Sequence, residues 1–160
     1  MGLTLNKLLI EKGYIAIPLE FTLTQHLVVQ AKINGIEGRF ILDSGASNTC
    51  VGIEWITYFN LEAEASEIKA AGAGASAMET QVAIKNHLEI GSLSIRRVPL
   101  VLFNLTHVNE ALQQFNLLPV HGVIGADLLL KKKAVIDYSK KKVIFTSLKL
   151  IKRGYLILFR

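Results

Sequence analysis

In the segment FILDSGAS, residues 40–47, three apolar residues lead directly into an acid, a hydroxyl, a glycine and further small residues. A strand that is apolar to its last position is expected to end in the protein interior, where an ionised carboxylate is costly. The sequence therefore predicts Asp43 at the buried end of a strand. Gly45 lets the backbone turn sharply and the small side chains keep the space in front of the acid open, so Asp43 is a candidate for catalysis.

A β-hairpin is predicted to deliver this acid. Leu27–Ile33 and Ile36–Leu42 are strand-like runs joined by Asn34-Gly35, a strong signal for a two-residue turn. The remaining pattern is rich in strands. We expect strands at 14–19, 49–51, 82–90, 94–103, 134–137 and 142–146, a loosely alternating tail at 148–160, and short helices at 4–12, 52–61 and 108–115.

A second apolar segment breaks at a glycine about eighty residues later. Val123-Ile124-Gly125 indicates a short strand, and the residues that follow it predict a helical turn. Between the two segments, residues 70–77 contain no side chain larger than that of serine. Small residues of this kind let backbone amides approach a ligand and allow a loop to move.

Together these features resemble the retropepsin-like aspartic proteases, and the single-domain bacterial members more than the retroviral ones. Asp-Ser-Gly alone is a weak motif, but the second segment at this distance makes the likeness fairly specific. The resemblance implies a mostly β chain that forms a closed β-barrel, the acid protease fold, with one or two short helices. It implies a single domain over residues 1–160, with a core at 14–146, an N-terminal segment at 1–13 and a basic C-terminal extension at 147–160.

The resemblance also implies roles for the first motif. Asp43 matches the catalytic acid, and Ser44, Gly45 and Ala46 match the active-site loop. The family more often has threonine where this chain has Ser44, which keeps the hydroxyl that braces two such loops against each other. Without the resemblance, the same residues would form an ordinary tight turn after a strand.

The second segment and the small-residue stretch have roles by the same resemblance. Ile124 and Gly125 match the segment that packs beside the catalytic loop, and Asp127 matches a structural position such as a helix cap. A flexible surface loop is the simpler interpretation of the small residues. The resemblance places the tip of a peptide-covering flap there, at Gly72, Ala73 and Gly74.

Peptide hydrolysis by water needs one group to accept the proton of the water and another to donate a proton to the carbonyl oxygen. Two adjacent carboxyls do both, because like charges held close together cannot both ionise and the pair shares one proton. The chain contains three aspartates, at positions 43, 127 and 137, and only Asp43 lies in the motif. A working dyad therefore predicts a homodimer joined through the active-site face, with one Asp43 from each chain.

The predicted function is an aspartic endopeptidase that acts on a peptide or protein substrate and needs no cofactor or metal. An alternative from a different class is a non-catalytic peptide-binding or assembly module on the same fold. The single motif favours this alternative, and so does the basic tail, which departs from the retroviral relatives.

The composition of the chain bears on its association, its relation to membranes and its cellular compartment. Hydrophobic residues make up 51% of the 160, which is high and indicates apolar surface covered by a partner subunit. No apolar run approaches the roughly 18–20 residues of a transmembrane helix, and the start lacks a signal-peptide pattern. The single cysteine, Cys50, excludes an internal disulfide and fits a reducing compartment, so we expect a cytoplasmic location.

Positive charge is concentrated in residues 131–160, which contain ten Lys or Arg and one acid, whereas the first 130 residues contain eight and twelve. A basic region can contact nucleic acid or anionic lipid. No aromatic residues interleave with these lysines as a stacking platform requires, so we do not expect nucleic acid as a partner. The lysines at 131–133 and 140–142 are expected to protect strand edges from pairing.

Other catalytic patterns are weaker. The four histidines are scattered without metal-ligand spacing, and His121 is expected to be structural or to line the cleft. Cys50 is expected to pack as a small hydrophobe, and the serines lack the nucleophile-elbow motif. Residues 72–77 fit a loose dinucleotide-binding pattern, but they follow an acidic segment rather than an apolar strand.

Overall fold

The computed structural model of the chain describes residues 4–66, 70–72, 75–78 and 80–147. These residues contain three α-helices, α1 (Leu5–Glu11), α2 (Thr106–Gln113) and α3 (Ala126–Lys131), and one 3-10 helix, Ile53–Trp55. The strands are β1 (Tyr14–Pro18), β2 (Glu20–Phe21), β3 (Leu27–Ile33), β4 (Ile36–Leu42), β5 (Cys50–Gly52), β6 (Glu64–Ala65), β7 (Ala70–Gly72), β8 (Ala75–Met78), β9 (Gln81–Ile90), β10 (Leu93–Phe103), β11 (Gly122–Ile124), β12 (Val135–Asp137) and β13 (Lys142–Thr146). The tail at 148–160 lies outside the described residues.

Six strands form a closed β-barrel. Their order is β3-β4-β11-β5-β10-β9, and β9 pairs with β3 to complete the ring. The short strands β2 and β6 extend the sheet, while β1, β13 and β12 form a separate three-stranded sheet. The prediction of a mostly β chain that forms a closed barrel is confirmed, and the helices are few and short.

The β3–β4 hairpin has the predicted strand boundaries and the predicted turn. Asn34 and Gly35 adopt positive φ angles of 53° and 85°, as a type I′ turn requires. The Asn34 side chain also fixes the turn to its surroundings, because its amide nitrogen donates to Phe59 O (3.0 Å) and its Oδ1 accepts from His87 N (3.0 Å). Strand β4, which leads to Asp43, therefore begins at a turn that hydrogen bonds fix to two other parts of the chain.

Strand β4 divides its side chains between two apolar clusters. Phe40 and Leu42 point into the barrel core. Ile41 lies between them and, because side chains alternate along a strand, points to the other face. There it packs with Val28 of β3 and Leu112 of α2. Helix α2 therefore covers the outer face of the barrel beside β4.

One predicted helix is wrong in type. The sequence predicts an amphipathic helix over 52–61, whereas the structure has a 3-10 helix, Ile53–Trp55, followed by irregular turns. β-Branched and aromatic residues fill this segment, and they are weak helix formers. Packing decides the outcome, because the fully buried Phe59 lies against Phe40 with ring centroids 6.0 Å apart.

The lysine cluster after α3 differs from expectation at one residue. Lys132 is only 2% exposed, although Lys131 and Lys133 on either side are exposed. Burial lowers the pKa of its amine. Its carbonyl oxygen accepts from the N–H and hydroxyl of Thr146 (2.9 and 3.1 Å), which joins the end of α3 to β13. Lys132 therefore packs in the interior and does not belong to a solvated basic edge.

Candidate active site

The end of β4 carries Asp43 out of the barrel. Strand β11 runs parallel to β4 with Ile124 opposite Leu42, and the ladder continues one residue further, because Asp43 N donates to Ile124 O (3.0 Å). Phe40, Ile41 and Leu42 are buried, but Asp43 is exposed in the single chain. The prediction of a buried Asp43 is therefore wrong for the single chain, because the residues that cover Phe40, Ile41 and Leu42 do not extend as far as Asp43.

The loop after β4 folds back onto the acid. Gly45 N donates to Asp43 Oδ1 (2.8 Å), and Ala46 N donates to Asp43 O (3.3 Å). A Cβ at Gly45 would lie 3.2 Å from Asp43 Oδ1, so a larger residue would press on the carboxylate. Ser44 is exposed beside it. The turn therefore orients the carboxylate while leaving it accessible.

The second apolar segment packs directly against this loop. Ala126 N donates to Ala46 O (2.7 Å). Gly125 lies so close to Asn48 that a Cβ at this position would overlap the Asn48 carbonyl group. Two segments about eighty residues apart in sequence therefore meet where β4 and β11 end, and a glycine at position 125 is what allows the contact.

Thr49, which sequence reasoning does not single out, joins the loop to α3. It is fully buried, and its N–H and hydroxyl both donate to Asp127 Oδ1 (2.9 and 2.8 Å). Its hydroxyl oxygen accepts from Gly125 N (3.1 Å), and Asp127 Oδ1 also accepts from Leu128 N (2.8 Å) in the first turn of α3. Thr49 and Asp127 therefore act together: Thr49 joins the loop to Gly125, and Asp127 joins Thr49 to the first turn of α3. No local pattern links a threonine to an acid so far along the chain.

His121 lies just before β11, at the level of Arg39 rather than of the acid. Its Nδ1 accepts from Arg39 N (3.0 Å), and its backbone N–H donates to Arg39 O (2.8 Å). The rings of Trp55 and Tyr58 flank the imidazole, with centroids 4.5 and 5.5 Å away. Burial lowers the pKa of His121. Of the two roles expected for this histidine, these contacts favour the structural one.

Cys50 lies in β5, next to the loop, and is buried. Desolvation raises the pKa of its thiol to about 12, which removes the thiolate that a cysteine nucleophile needs. Within the described residues, no three His, Cys, Asp or Glu side chains are grouped as a metal site would require. No helix in that part of the chain has the length and apolar character needed to cross a membrane.

A two-stranded hairpin lies in the segment predicted to be the flap. Strands β7 and β8 pair antiparallel, with Gly72 opposite Ala75. Of the three residues predicted at its tip, Gly72 ends β7, while Ala73 and Gly74 lie outside the described residues. The hairpin is a sheet of its own, separate from the barrel, and its action as a flap stays a prediction.

This barrel is the retropepsin-like acid protease fold. The chain is similar to a retropepsin-like aspartic protease from Rickettsia conorii, at 18% sequence identity and a TM-score of 0.58, with 83% of this chain and 89% of the other covered. It is similar to the EIAV protease complexed with the inhibitor HBY-793 (15% identity, TM-score 0.52, 70% and 92% covered). It is also similar to the retroviral protease-like domain of Ddi1 from Leishmania major (14% identity, TM-score 0.53, 75% and 87% covered). No curated protein matches the chain.

The sequence places the chain in a family as well. The model of the aspartyl protease family matches residues 29–128, a span that includes the whole loop after β4 and the Ile124-Gly125 segment. The chain therefore belongs to the aspartyl protease family. Family and fold together support a protease-type function.

The contacts of Thr49 give a first prediction. We expect T49V to lower the free energy of unfolding by about 2–3 kcal/mol, because a buried hydrogen bond to a charged group contributes roughly 1.5–3 kcal/mol. Urea unfolding followed by circular dichroism measures the change. T57V is the matched control: Thr57 is exposed, and surface substitutions usually change stability by less than about 0.5 kcal/mol. Equal losses in the two variants would contradict the role given to Thr49.

The burial of His121 gives a second prediction. Its Nδ1 can accept from Arg39 only while the ring is neutral, and its pKa is lower in the folded than in the unfolded chain. The neutral His121 ring therefore makes its full contribution to the free energy of unfolding above the unfolded pKa of about 6.5. This contribution is lost as the pH falls through the folded pKa. We expect the free energy of unfolding of the wild type to decline below that pH more steeply than that of H121N, whose amide oxygen can take the place of the acceptor.

The control for this measurement is H107N, because His107 is exposed and its replacement is expected to leave the decline unchanged. Urea unfolding at a series of pH values gives the slope for each protein. A wild type and an H121N variant with the same slope would show that His121 does not carry the dependence.

Proposed function

We propose that this protein is a homodimeric aspartic endopeptidase, in which Asp43 from each of two chains activates water for peptide hydrolysis. The observation that carries the proposal is the placement of Asp43: exposed at the end of a buried strand and oriented by Gly45 N–H (2.8 Å), in a chain of the aspartyl protease family. Each chain supplies one such carboxyl, and the chemistry needs two.

The other two aspartates are engaged elsewhere. Asp127 accepts from the buried Thr49. Asp137 ends β12 and accepts from Lys140 N (3.0 Å), a bond that lowers the pKa of the Asp137 carboxyl. Since these are the only other aspartates of the chain, a second copy of Asp43 is the natural partner. A two-fold axis beside the exposed loop would bring the two copies together.

In the proposed dyad one Asp43 is ionised and the other is protonated, because two negative charges held close together repel. The ionised carboxylate removes a proton from water as the water oxygen attacks the carbonyl carbon. The protonated carboxyl donates its proton to the carbonyl oxygen, which yields a tetrahedral diol. In the collapse, the first carboxyl gives its proton to the amide nitrogen and the C–N bond breaks. The second takes a proton from a hydroxyl of the diol, so the dyad returns to its starting state.

The hairpin of β7 and β8 is the proposed flap. Its strands pair with Gly72 opposite Ala75, and residues 70–77 contain no side chain larger than that of serine. A segment of this kind can bring backbone amides close to an extended peptide and can open and close. Main-chain contacts of this type are compatible with a peptide or protein substrate.

Replacing Asp43 by asparagine tests the chemistry. We expect D43N to lower the rate of peptide cleavage by about a thousandfold or more, because the amide can neither accept nor donate the catalytic proton. Mass spectrometry of a digested peptide mixture measures cleavage, and circular dichroism and sedimentation show whether fold and dimer are kept. D137N is the control, since Asp137 lies in a separate hairpin. Cleavage that survives D43N would overturn the mechanism.

A mixing experiment tests whether the site is shared. When an equal amount of D43N is added to a fixed amount of wild type and the chains exchange, only about a quarter of the dimers contain two copies of Asp43. Because the total number of dimers has doubled, the measured activity is expected to fall to about half. Activity that stays unchanged would show that each chain acts alone.

A non-catalytic peptide-binding module on the same fold is the second candidate. It is favoured by the exposure of Asp43 in the single chain, which gives one lone carboxylate per protomer. This function predicts a strict monomer by sedimentation at high protein concentration, no cleavage by the wild type, and peptide binding by the single chain.

A further inference from the structure

We propose that the groove between α2 and the 3-10 helix binds an arginine-bearing segment of another polypeptide. The groove is open and has a volume of about 550 Å³, and the side chains that line it come from these two helices and from the segment after α2. The inference goes beyond the proposed function and does not rest on it, because it concerns binding at a second surface of the chain.

The groove lies away from Asp43. Trp55 of the 3-10 helix lines it and contacts His121, with ring centroids 4.5 Å apart. The backbone N–H of His121 donates to Arg39 O (2.8 Å) in β4. Arg39 precedes Asp43 by four residues, which is roughly 13 Å along a strand. The groove and the catalytic loop are therefore separate surfaces.

Two glutamates from different elements line the groove. Glu54 belongs to the 3-10 helix and Glu110 to α2. Both are exposed, and within the described part of the chain neither carboxylate forms an ion pair or a side-chain hydrogen bond. A Cβ at Gly52 would lie 2.7 Å from the Glu54 carboxylate, so the glycine leaves the space that this carboxylate occupies. Two unpaired carboxylates on one groove favour a cationic ligand.

Trp55 adds an aromatic surface to these charges. Its ring is partly buried, and its Nε1–H is buried without an acceptor among the described residues, although buried polar groups are nearly always hydrogen-bonded. The face of an indole attracts a guanidinium, which also pairs with a carboxylate through two parallel N–H groups. Leu117 and Pro119 line the same groove and offer apolar contact to side-chain methylenes. An arginine side chain uses all of these features, and a lysine uses fewer.

Helix α2 presents a polar face to the groove and is fixed in place. The residues that line the groove recur at helical spacing, and they are Thr106, Asn109, Glu110 and Gln113. The Asn109 side chain donates to Val120 O (3.0 Å) and accepts from Val120 N (2.8 Å), while Leu112 packs with Ile41 on the barrel. The polar face therefore has a rigid support, as a binding surface needs.

The charges around the groove also suit a basic ligand. Among the described residues that line it there is no lysine or arginine. Arg39 donates to Leu118 O (2.9 Å) beside the groove, but its guanidinium is paired with Glu20 Oε1 (2.7 Å). Burial lowers the pKa of His121 next to Trp55, so this ring is neutral at neutral pH. The first 130 residues contain eight Lys or Arg and twelve acids, and this excess attracts a basic segment.

Peptide binding to the full chain tests this proposal. The probes are short labelled peptides of glycine, alanine and leucine with a central arginine, lysine or citrulline, the neutral analogue of arginine. Fluorescence anisotropy gives Kd for each peptide. We expect the arginine peptide to bind about tenfold more tightly than the citrulline peptide, with the lysine peptide between them, because two carboxylates lose their partner in citrulline. Equal values of Kd for the arginine and citrulline peptides would overturn the proposal.

The variant E54Q/E110Q removes the two charges from the groove. We expect it to weaken binding of the arginine peptide about tenfold and to leave the citrulline peptide unchanged. The matched control is E11Q/E62Q, because Glu11 and Glu62 are exposed, lie outside the groove and give the same change in net charge. Circular dichroism shows whether both variants keep the fold. Equal losses in the two variants would show general attraction to the protein and would overturn the site.

Tryptophan emission shows where the peptide binds. Trp55 is the only tryptophan of the chain, so its fluorescence reports the groove directly. Titration with the unlabelled arginine peptide is expected to change the emission with the same Kd as the anisotropy measurement. Emission that stays constant at saturating peptide would place the ligand elsewhere and would overturn the proposal. All of these measurements are made in the D43N background, so that they report binding whether or not the wild type cleaves peptides.

Two other occupants of the groove are decided by further variants of the full chain. The basic tail is tested by replacing its four cations with glutamine, in the variant K149Q/K152Q/R153Q/R160Q. Tighter binding of the arginine peptide to this variant would show that the chain's own tail takes the groove, and unchanged binding supports an external segment. A second copy of the chain is tested by sedimentation: a dimer that E54Q/E110Q dissociates would overturn the proposal in favour of self-association.

Discussion

The parallel pairing of β11 with β4 is the constraint on which the site depends. It lets Asp43 N–H bond to Ile124 O, so the acid is fixed by a strand from the other end of the chain. The space for β11 is narrow. A Cβ at Gly122 would overlap Cys50 O, and one at Gly125 would overlap the loop backbone. Both positions must therefore be glycine for β11 to pair with β4. The hydrogen bonds between the buried Thr49 and Asp127 of α3 then stabilise the packed loop.

Local signals made much of the fold predictable. Asn34-Gly35 imposes its own turn through positive φ angles, and the pattern of apolar residues marks the strands on either side. The contact between Thr49 and Asp127 was not predictable in this way, because 78 residues separate the partners and neither has a sequence pattern that names the other. Burial of Asp43 was predicted wrongly for a related reason: an apolar strand shows that its own residues are covered, but not where the cover ends.

Strand β4 helps to explain the apolar composition of the chain. An outer strand face often meets water, but here Phe40 and Leu42 pack into the barrel while Ile41 packs beneath α2. Two apolar clusters therefore share one strand, and fewer apolar residues are left for a partner than the composition alone suggests. Large side chains such as Leu23, 86% exposed, and Leu130, 77% exposed, still lie on the surface, so part of the apolar excess is available for association.

Because each chain supplies one exposed Asp43 at the end of β4, the proposed activity depends on the concentration of the chain. Below the dissociation constant of a dimer, the number of complete sites grows with the square of the chain concentration, so dilute protein is nearly inert. Such an enzyme is inactive at the low concentrations reached early in its synthesis, so it needs no inhibitory segment during that time. Its threshold is set by how tightly two chains associate, and a small change in that affinity would shift the level of expression at which proteolysis begins.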